Sequence, residues 1–275
     1  MTAHSPRKRF GQHFLVSSGV IRKIIAAIAP EPSDTVIEIG PGQGALTAPL
    51  LEVLDHLHVV EIDRDLVAGL RSRFPPERLT IHAGDALDFD FGAIKGTGPL
   101  KIVGNLPYNI SSPLLFHLAE YADQIAAMYF MLQKEVVDRM VAAPGTREYG
   151  RLSVMLQYRF AMERLFLVPP GAFMPPPKVD SAVVRMIPRD MTKLGAGGTA
   201  HDAGLFARLV AAAFSQRRKM LRNTLKDFGG EALLIRLGIA PTARAEELAV
   251  ADYVRLANAL AAGSGLPGRG EAPAA

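Results

Sequence analysis

The sequence predicts an α/β protein: a mainly parallel sheet wrapped by helices, followed by a smaller, all-helical C-terminal part. Three observations predict it. Short β-branched runs alternate with apolar positions at helical spacing from Thr35 onward. The first of those runs empties into a glycine turn, Gly40-Pro41-Gly42-Gln43-Gly44, that opens a helix. Beyond residue 204 the strand pattern stops and only helical spacing remains.

Composition bounds the reading. The chain has 275 residues, of which 49% are hydrophobic, enough for one large domain and a small one. A formal net charge of +4 permits a polyanionic partner without requiring one. Cysteine is absent, which excludes disulfides, thiolate metal sites and cysteine nucleophiles. No paired-histidine spacing suggests a metal, so none is expected. The N-terminus lacks the apolar stretch of a signal peptide and no run reaches membrane-spanning length, so a cytoplasmic protein is expected.

Taken in order, the chain opens on Arg7-Lys8-Arg9-Phe10-Gly11-Gln12-His13-Phe14-Leu15. This basic cluster beside two aromatics reads as a solvated face or as an arm laid on phosphates. Val20, Ile21, Ile24, Ile25 and Ile28 predict a helix over 17–29, which Pro30 and Pro32 end. Residues 35–39 form a buried strand, the glycine turn follows, and 46–54 form a helix. Glycines let backbone approach a ligand closely, and a helix N-terminus favours anionic groups.

Residues 57–62 are the second strand, ending on Glu61 and Asp63. An acid at such a tip can accept both hydroxyls of a ribose. Helix 65–73 and strand 79–82 come next. Asp85, just past that strand in Gly84-Asp85-Ala86, can accept the exocyclic amine of an adenine, or simply cap a solvated turn. Asp88 and Asp90 read as surface charge.

The fourth strand, 100–103, breaks into Asn105-Leu106-Pro107-Tyr108. An amide, a proline carbonyl and an aromatic face then lie within four residues, the groups that grip a nucleobase by its edge and its face. The same residues also suit a plain turn. Ser111 or Ser112 caps a helix through Leu118, with Pro113 in its first turn. A fifth strand covers 125–132, helices cover 134–142 and 149–160, and further strands cover 163–168 and 182–187. The proline-rich loop 169–180 is stiff and can hold Phe173 and Lys178 at the rim of a site.

Residues 189–204 read as a linker. Helix 205–226 has an apolar stripe of Phe206, Leu209, Val210, Ala213, Phe214, Leu221 and Leu225. Its other face carries Arg217, Arg218, Lys219, Arg222 and Lys226. Short helices near 231–237, 245–249 and 251–261 complete the C-terminal part, and residues 263–275 are expected to be disordered. The expected domains are therefore 1–188, a linker at 189–204, 205–262, and the tail.

Gly40, Glu61, Asp85 and Asn105 follow the first to the fourth strand in chain order. Ligands of parallel sheets sit at that edge. Spacing alone leaves the cofactor open, because Gly40-x-Gly42-x-x-Ala45 with Glu61 also fits the dinucleotide fingerprint of a dehydrogenase.

Gly40-Pro41-Gly42-Gln43-Gly44, Glu61, Gly84-Asp85-Ala86 and Asn105-Leu106-Pro107-Tyr108 resemble the motifs of S-adenosylmethionine-dependent adenine-N6 methyltransferases. The stretches 7–15, 132–135, 149–153 and 175–181 narrow the resemblance to the small-subunit (16S) ribosomal RNA adenine dimethyltransferase family. That resemblance spans Arg7 to about Ala261. It implies a seven-stranded, Rossmann-like methyltransferase sheet whose last strand is antiparallel, with a small helical C-terminal domain. It implies S-adenosylmethionine as methyl donor, no metal, and dimethylation of two adjacent adenosines in a hairpin loop near the 3′ end of 16S rRNA during 30S subunit maturation. A monomer is expected.

The cofactor contacts carried over by resemblance are His13, Leu15, Gly40, Glu61, Asp85 and Asn105. Many relatives carry Asn at the position of His13; either side chain can donate to a carboxylate. Asn105 and the Pro107 carbonyl would hold the adenine amine, Tyr108 would stack on the base, and Phe173 would close its other face. Lys178, Arg217, Arg218, Lys219 and Arg222 would meet RNA phosphates, along with Arg7, Lys8, Arg9, Arg147 and Arg151. Two neighbouring functions fit the same residues: an RNA-binding assembly factor with secondary or lost catalysis, and a 23S rRNA adenine dimethyltransferase.

Overall fold

The computed structural model describes residues 12–94, 96, 98–107, 110–194 and 198–263. Expectations for Arg7, Lys8, Arg9, Tyr108 and the tail beyond Gly263 lie outside those residues. The described chain divides into two compact units.

The first unit holds a seven-stranded sheet. Its elements are β1 (Phe14–Leu15), α1 (Ser18–Ile28), β2 (Thr35–Ile39), α2 (Thr47–Leu51), β3 (Leu57–Glu61), α3 (Arg64–Arg73) and β4 (Leu79–Ala83). They continue with β5 (Leu100–Asn105), α4 (Ser111–Glu120), β6 (Ile125–Gln133), α5 (Lys134–Val141), then, past α6 (Arg151–Arg159), β7 (Phe160–Val168), β8 (Phe173–Met174) and β9 (Ser181–Pro188). The strand order is β4-β3-β2-β5-β6-β9-β7. β9 is antiparallel to β6 and β7, and the remaining pairs are parallel. The sheet and its antiparallel last strand are as the family resemblance implied.

β2 is an interior strand buried from Val36 to Ile39, as a parallel strand covered on both faces requires; Glu38 is the one polar residue in that buried run. From β2 the chain moves outward through β3 and β4, then returns to β5 on the other flank. This reversal opens a crevice at the carboxyl ends of β2 and β5. Gly104 pairs with Ile39 there, and a Cβ at Gly104 would lie 2.6 Å from the Ile39 carbonyl oxygen. Only glycine permits that approach.

A two-stranded ladder, β1 with β8, was not foreseen. Phe14 pairs with Met174 and Leu15 with Phe173. Strand alternation turns Leu15 and Phe173 into the core with Val168 and Ala172, leaving Met174 exposed.

The second unit has its own core, built from Ala142–Tyr158 and the residues after Arg189. The sequence placed 142–158 with the sheet. In the structure Tyr149 and Val154 are buried with Phe206, Leu209 and Tyr253, so the boundary shifts. The expected linker is partly fixed too. Ala200 N donates to Tyr158 Oη at 2.9 Å, and Asn258 bonds both the Thr199 carbonyl and the His201 amide at 2.8 Å.

The helix expected over 205–226 is not continuous. α7 (Ala203–Ala213) ends at Phe214, a bend carries Ser215 to Lys219, and α8 (Leu221–Thr224) starts afresh. Ser215 Oγ bonds back to the Ala212 carbonyl at 2.7 Å, and Met220 bridges to Arg244. The apolar stripe survives, with Leu221 and Leu225 buried, but on two segments. α9 (Gly230–Arg236) and α10 (Val250–Gly263) close the unit.

Candidate active site

A cavity of about 320 Å³ lies in the first unit at the carboxyl ends of β2, β3, β4 and β5. Gly40, Glu61, Asp85, Asn105 and Pro107 line it together with His13. The backbone turns out of β2 with Gly40, Gly42 and Gly44 at φ of 66°, 58° and 82°, a region that side chains rarely tolerate. At Gly84, also in the wall, a Cβ would meet no atom within 4 Å.

Glu61 is only 6% exposed. Its Oε2 accepts from the Gly42 amide at 3.2 Å and its Oε1 from the Asp63 amide at 2.9 Å. Burial pushes this carboxyl above the usual range, while those two amides pull it back in part. The Ile62 amide also draws on the carboxylate, which keeps acceptor capacity for a neighbouring hydroxyl donor. Beneath it, Glu38 is fully buried and accepts from Thr47 Oγ1 at 2.6 Å. Burial, aided by the Glu61 charge, pushes Glu38 up to about 8. At neutral pH Glu38 is therefore mostly protonated, and Glu61 faces one less negative neighbour. Asp85 is half-buried. Its Oδ1 accepts from the Leu87 amide at 3.0 Å, fixing the carboxylate while Oδ2 remains an acceptor at the wall.

The N-terminal segment closes over the crevice. Val16 N donates to the Ala172 carbonyl at 2.8 Å, extending the β1–β8 ladder. His13 Nδ1 donates to the Pro175 carbonyl at 2.8 Å, and Gln12 Nε2 to Asp63 Oδ2 at 3.2 Å. Asn105 Nδ2 donates to the His13 carbonyl at 2.9 Å. That bond fixes the amide's orientation and leaves Oδ1 as its acceptor at the cavity wall. The Pro107 carbonyl accepts from the Ile110 amide at 3.3 Å and from Ser111 Oγ at 2.9 Å.

Of the residues singled out by sequence, the cavity gathers His13, Gly40, Glu61, Asp85, Asn105 and Pro107. Leu15, in β1, turns into the core and does not line the cavity. Phe173, expected at the rim, is 3% exposed in the core and offers no face to a base. Lys178 is exposed on the loop before β9. Arg217, Arg218, Lys219 and Arg222 are exposed in the second unit, in the bend and first turn of α8 rather than along one helix, and the Arg217 guanidinium donates to the Arg147 carbonyl. Sequence reasoning missed Gln12, Phe14, Ile62 and Ile110 as wall residues. Ile62 alone carried a signal: a large apolar residue directly after the strand-tip acid, 45% exposed in the fold. Among the described residues no acidic or histidine cluster is placed to hold a metal, and no helix is long and apolar enough to cross a membrane.

Residues 3–262 match the family model described as ribosomal RNA adenine dimethylase. The chain is 62% identical to the ribosomal RNA small subunit methyltransferase A of Aromatoleum aromaticum, covering 96% of this chain and 97% of that protein. It is 61% identical to the protein of the same description from Chromobacterium violaceum, covering 94% and 97%. Among solved structures, a dimethyladenosine transferase from Plasmodium falciparum superposes with a TM-score of 0.76 at 28% identity, over 89% of this chain and 96% of that one. The 23S rRNA methyltransferase ErmE superposes with a TM-score of 0.66 at 26% identity, over 90% and 99%. With nearly its whole length matched in sequence and fold, the chain belongs to the ribosomal RNA adenine dimethylase family.

Proposed function

We propose that this protein transfers methyl groups from S-adenosylmethionine to N6 of two adjacent adenosines in a hairpin loop near the 3′ end of 16S rRNA, acting as a monomer on the small subunit or its precursor in the cytoplasm. The observation that carries the reading is the Asn105 amide, lodged at the cavity wall with its nitrogen tied to His13 and its oxygen left to accept.

The residues present fit the methyl donor. Glu61 suits the ribose hydroxyls, Asp85 the adenine amine, and the glycine turn with His13 the amino acid end. The donor supplies an electrophilic methyl on a sulfonium. The protein's own task is then positioning. Adenine N6 is a weak nucleophile because its lone pair is delocalised into the ring. Asn105 Oδ1, accepting one of its hydrogens, favours a tetrahedral nitrogen and helps aim its lone pair at the methyl; the Pro107 carbonyl, expected as the second acceptor, already accepts from the Ile110 amide and the Ser111 hydroxyl. The role expected of Tyr108, which lies outside the described residues, is to stack on the extruded base, an interaction that contributes roughly 1–3 kcal/mol in comparable sites. No general base is needed, since the methylated nitrogen is strongly acidic and loses its proton to water.

The test is methyl transfer to small subunits that lack these methyl groups, read by mass spectrometry of the rRNA. Dimethyladenosine at two adjacent 16S positions is expected. Binding of the subunit without transfer would select the assembly-factor reading, and methylation confined to 23S rRNA would select the large subunit.

A further inference from the structure

The β1–β8 ladder has two faces, and only one is buried. Leu15 and Phe173 point into the core. Alternation puts Phe14, Met174 and, one residue past β1, Val16 on the other face. Phe14 lines the cavity, and a Cβ on Gly42 of the glycine turn would lie 3.1 Å from its ring. Met174, its cross-strand partner, joins neither buried core among the described residues. It is 63% exposed, and Val16 is 53% exposed. A single exposed apolar side chain needs no explanation. Here a strip of them runs from the cavity wall out onto the surface.

The strip lies beside the reacting turn. Asn105 donates to the His13 carbonyl, and the His13 ring donates to the Pro175 carbonyl. The chain neighbours of Phe14 and Met174 are thus tied to the amide assigned to the reacting adenine. The proposed substrate is a pair of adjacent adenosines. One methyl donor faces one amine, so the cavity takes one base at a time. The other base must wait outside, and extrusion of its neighbour strips it of a stacking partner. A methionine thioether is polarisable and unbranched, and it packs well on an aromatic ring. Lys178, exposed on the same loop, supplies positive charge for the connecting backbone.

We propose that Met174 is a base-contact residue: while one adenine of the adjacent pair occupies the cavity, the Met174 side chain packs on the other at the mouth. This inference rests on the function proposed above. It gives the exposed face of the ladder a single-stranded RNA base as its occupant, and it makes Met174 a determinant of substrate affinity rather than of the chemical step.

The experiment is single-turnover methyl transfer to undermethylated small subunits over a range of subunit concentrations, repeated at several salt concentrations. Met174→Ala is expected to raise the half-saturating subunit concentration about three- to tenfold, with the limiting rate near that of wild type. The slope against log salt is expected to stay the same, because no cation is removed. Met174→Leu keeps an apolar surface of similar size and is expected to stay close to wild type. A side chain that only steadied the ladder would instead lower the melting temperature and weaken S-adenosylmethionine binding, since His13 and Phe14 wall the cavity. Both are expected to be unchanged in Met174→Ala. An unchanged half-saturating concentration in that variant overturns the inference, as does an equal loss in the alanine and leucine variants. Absence of any N6 methylation by the wild-type protein overturns the function proposal and this inference with it, so the two failures are told apart.

Discussion

Asn105 and His13, 92 residues apart in the chain, are joined by a hydrogen bond of 2.9 Å from the amide nitrogen to a backbone carbonyl. The turn after β5 thus takes its orientation from the N-terminal segment. That segment is held in turn by the β1–β8 ladder and by His13 on Pro175. Rotating the amide would break the bond and put a second donor where the cavity needs an acceptor.

Burial of Glu38 makes stability depend on pH. Its carboxyl rises from an ordinary 4.5 to about 8 in the folded protein. Between those values the unfolded chain ionises it and the folded protein does not. Stability is therefore fully present below pH 4.5 and is lost as pH rises toward 8, by on the order of a few kcal/mol. Glu38→Gln still offers an oxygen to Thr47 but cannot ionise. In thermal melts the variant should gain steadily on wild type from pH 4.5 to 8. A gap that does not change with pH would contradict the assignment.

Phe173 should matter for stability first. It is packed with Leu15 and Val168, so Phe173→Ala is expected to cost about 3–5 kcal/mol in urea unfolding. Phe173→Leu should keep most of the stability and transfer methyl groups at close to the wild-type rate. If Phe173→Leu melted normally but lost transfer, the ring would have to reach the substrate after all.

Exposed cations of the second unit are expected to set the salt response of RNA binding. Arg218→Ala and Lys219→Ala should each weaken binding to small subunits and each lower the slope of log affinity against log salt by about one. Arg217 is left intact in this test because it also holds the Arg147 carbonyl. A slope equal to that of wild type in the double variant would place the phosphate contacts elsewhere.

The sheet and most of the cavity wall were legible because their signals are local. A β-branched run, a glycine turn and an acid at a strand tip need only a few neighbouring residues to be read. What escaped depends on distant partners. The pairing of Phe14 with Met174 decides that Phe173 faces inward, and two residues carry no periodicity. The break between α7 and α8 was hidden because one apolar stripe serves a single helix and two shorter ones equally well. Tyr149 and Val154 looked at home beside the sheet, since an apolar helix face does not say which core it joins. The carbonyl of His13 leaves no trace in side-chain chemistry, yet it orients the amide.

The most direct test of the central claim is single-turnover methyl transfer by Asn105→Ala at saturating cofactor and small subunits, beside a melting curve showing the variant folded. With the amide oxygen gone, the rate should drop at least about a hundredfold, the scale seen when a positioned polar group is removed from a reacting centre. Transfer at near the wild-type rate would contradict the account.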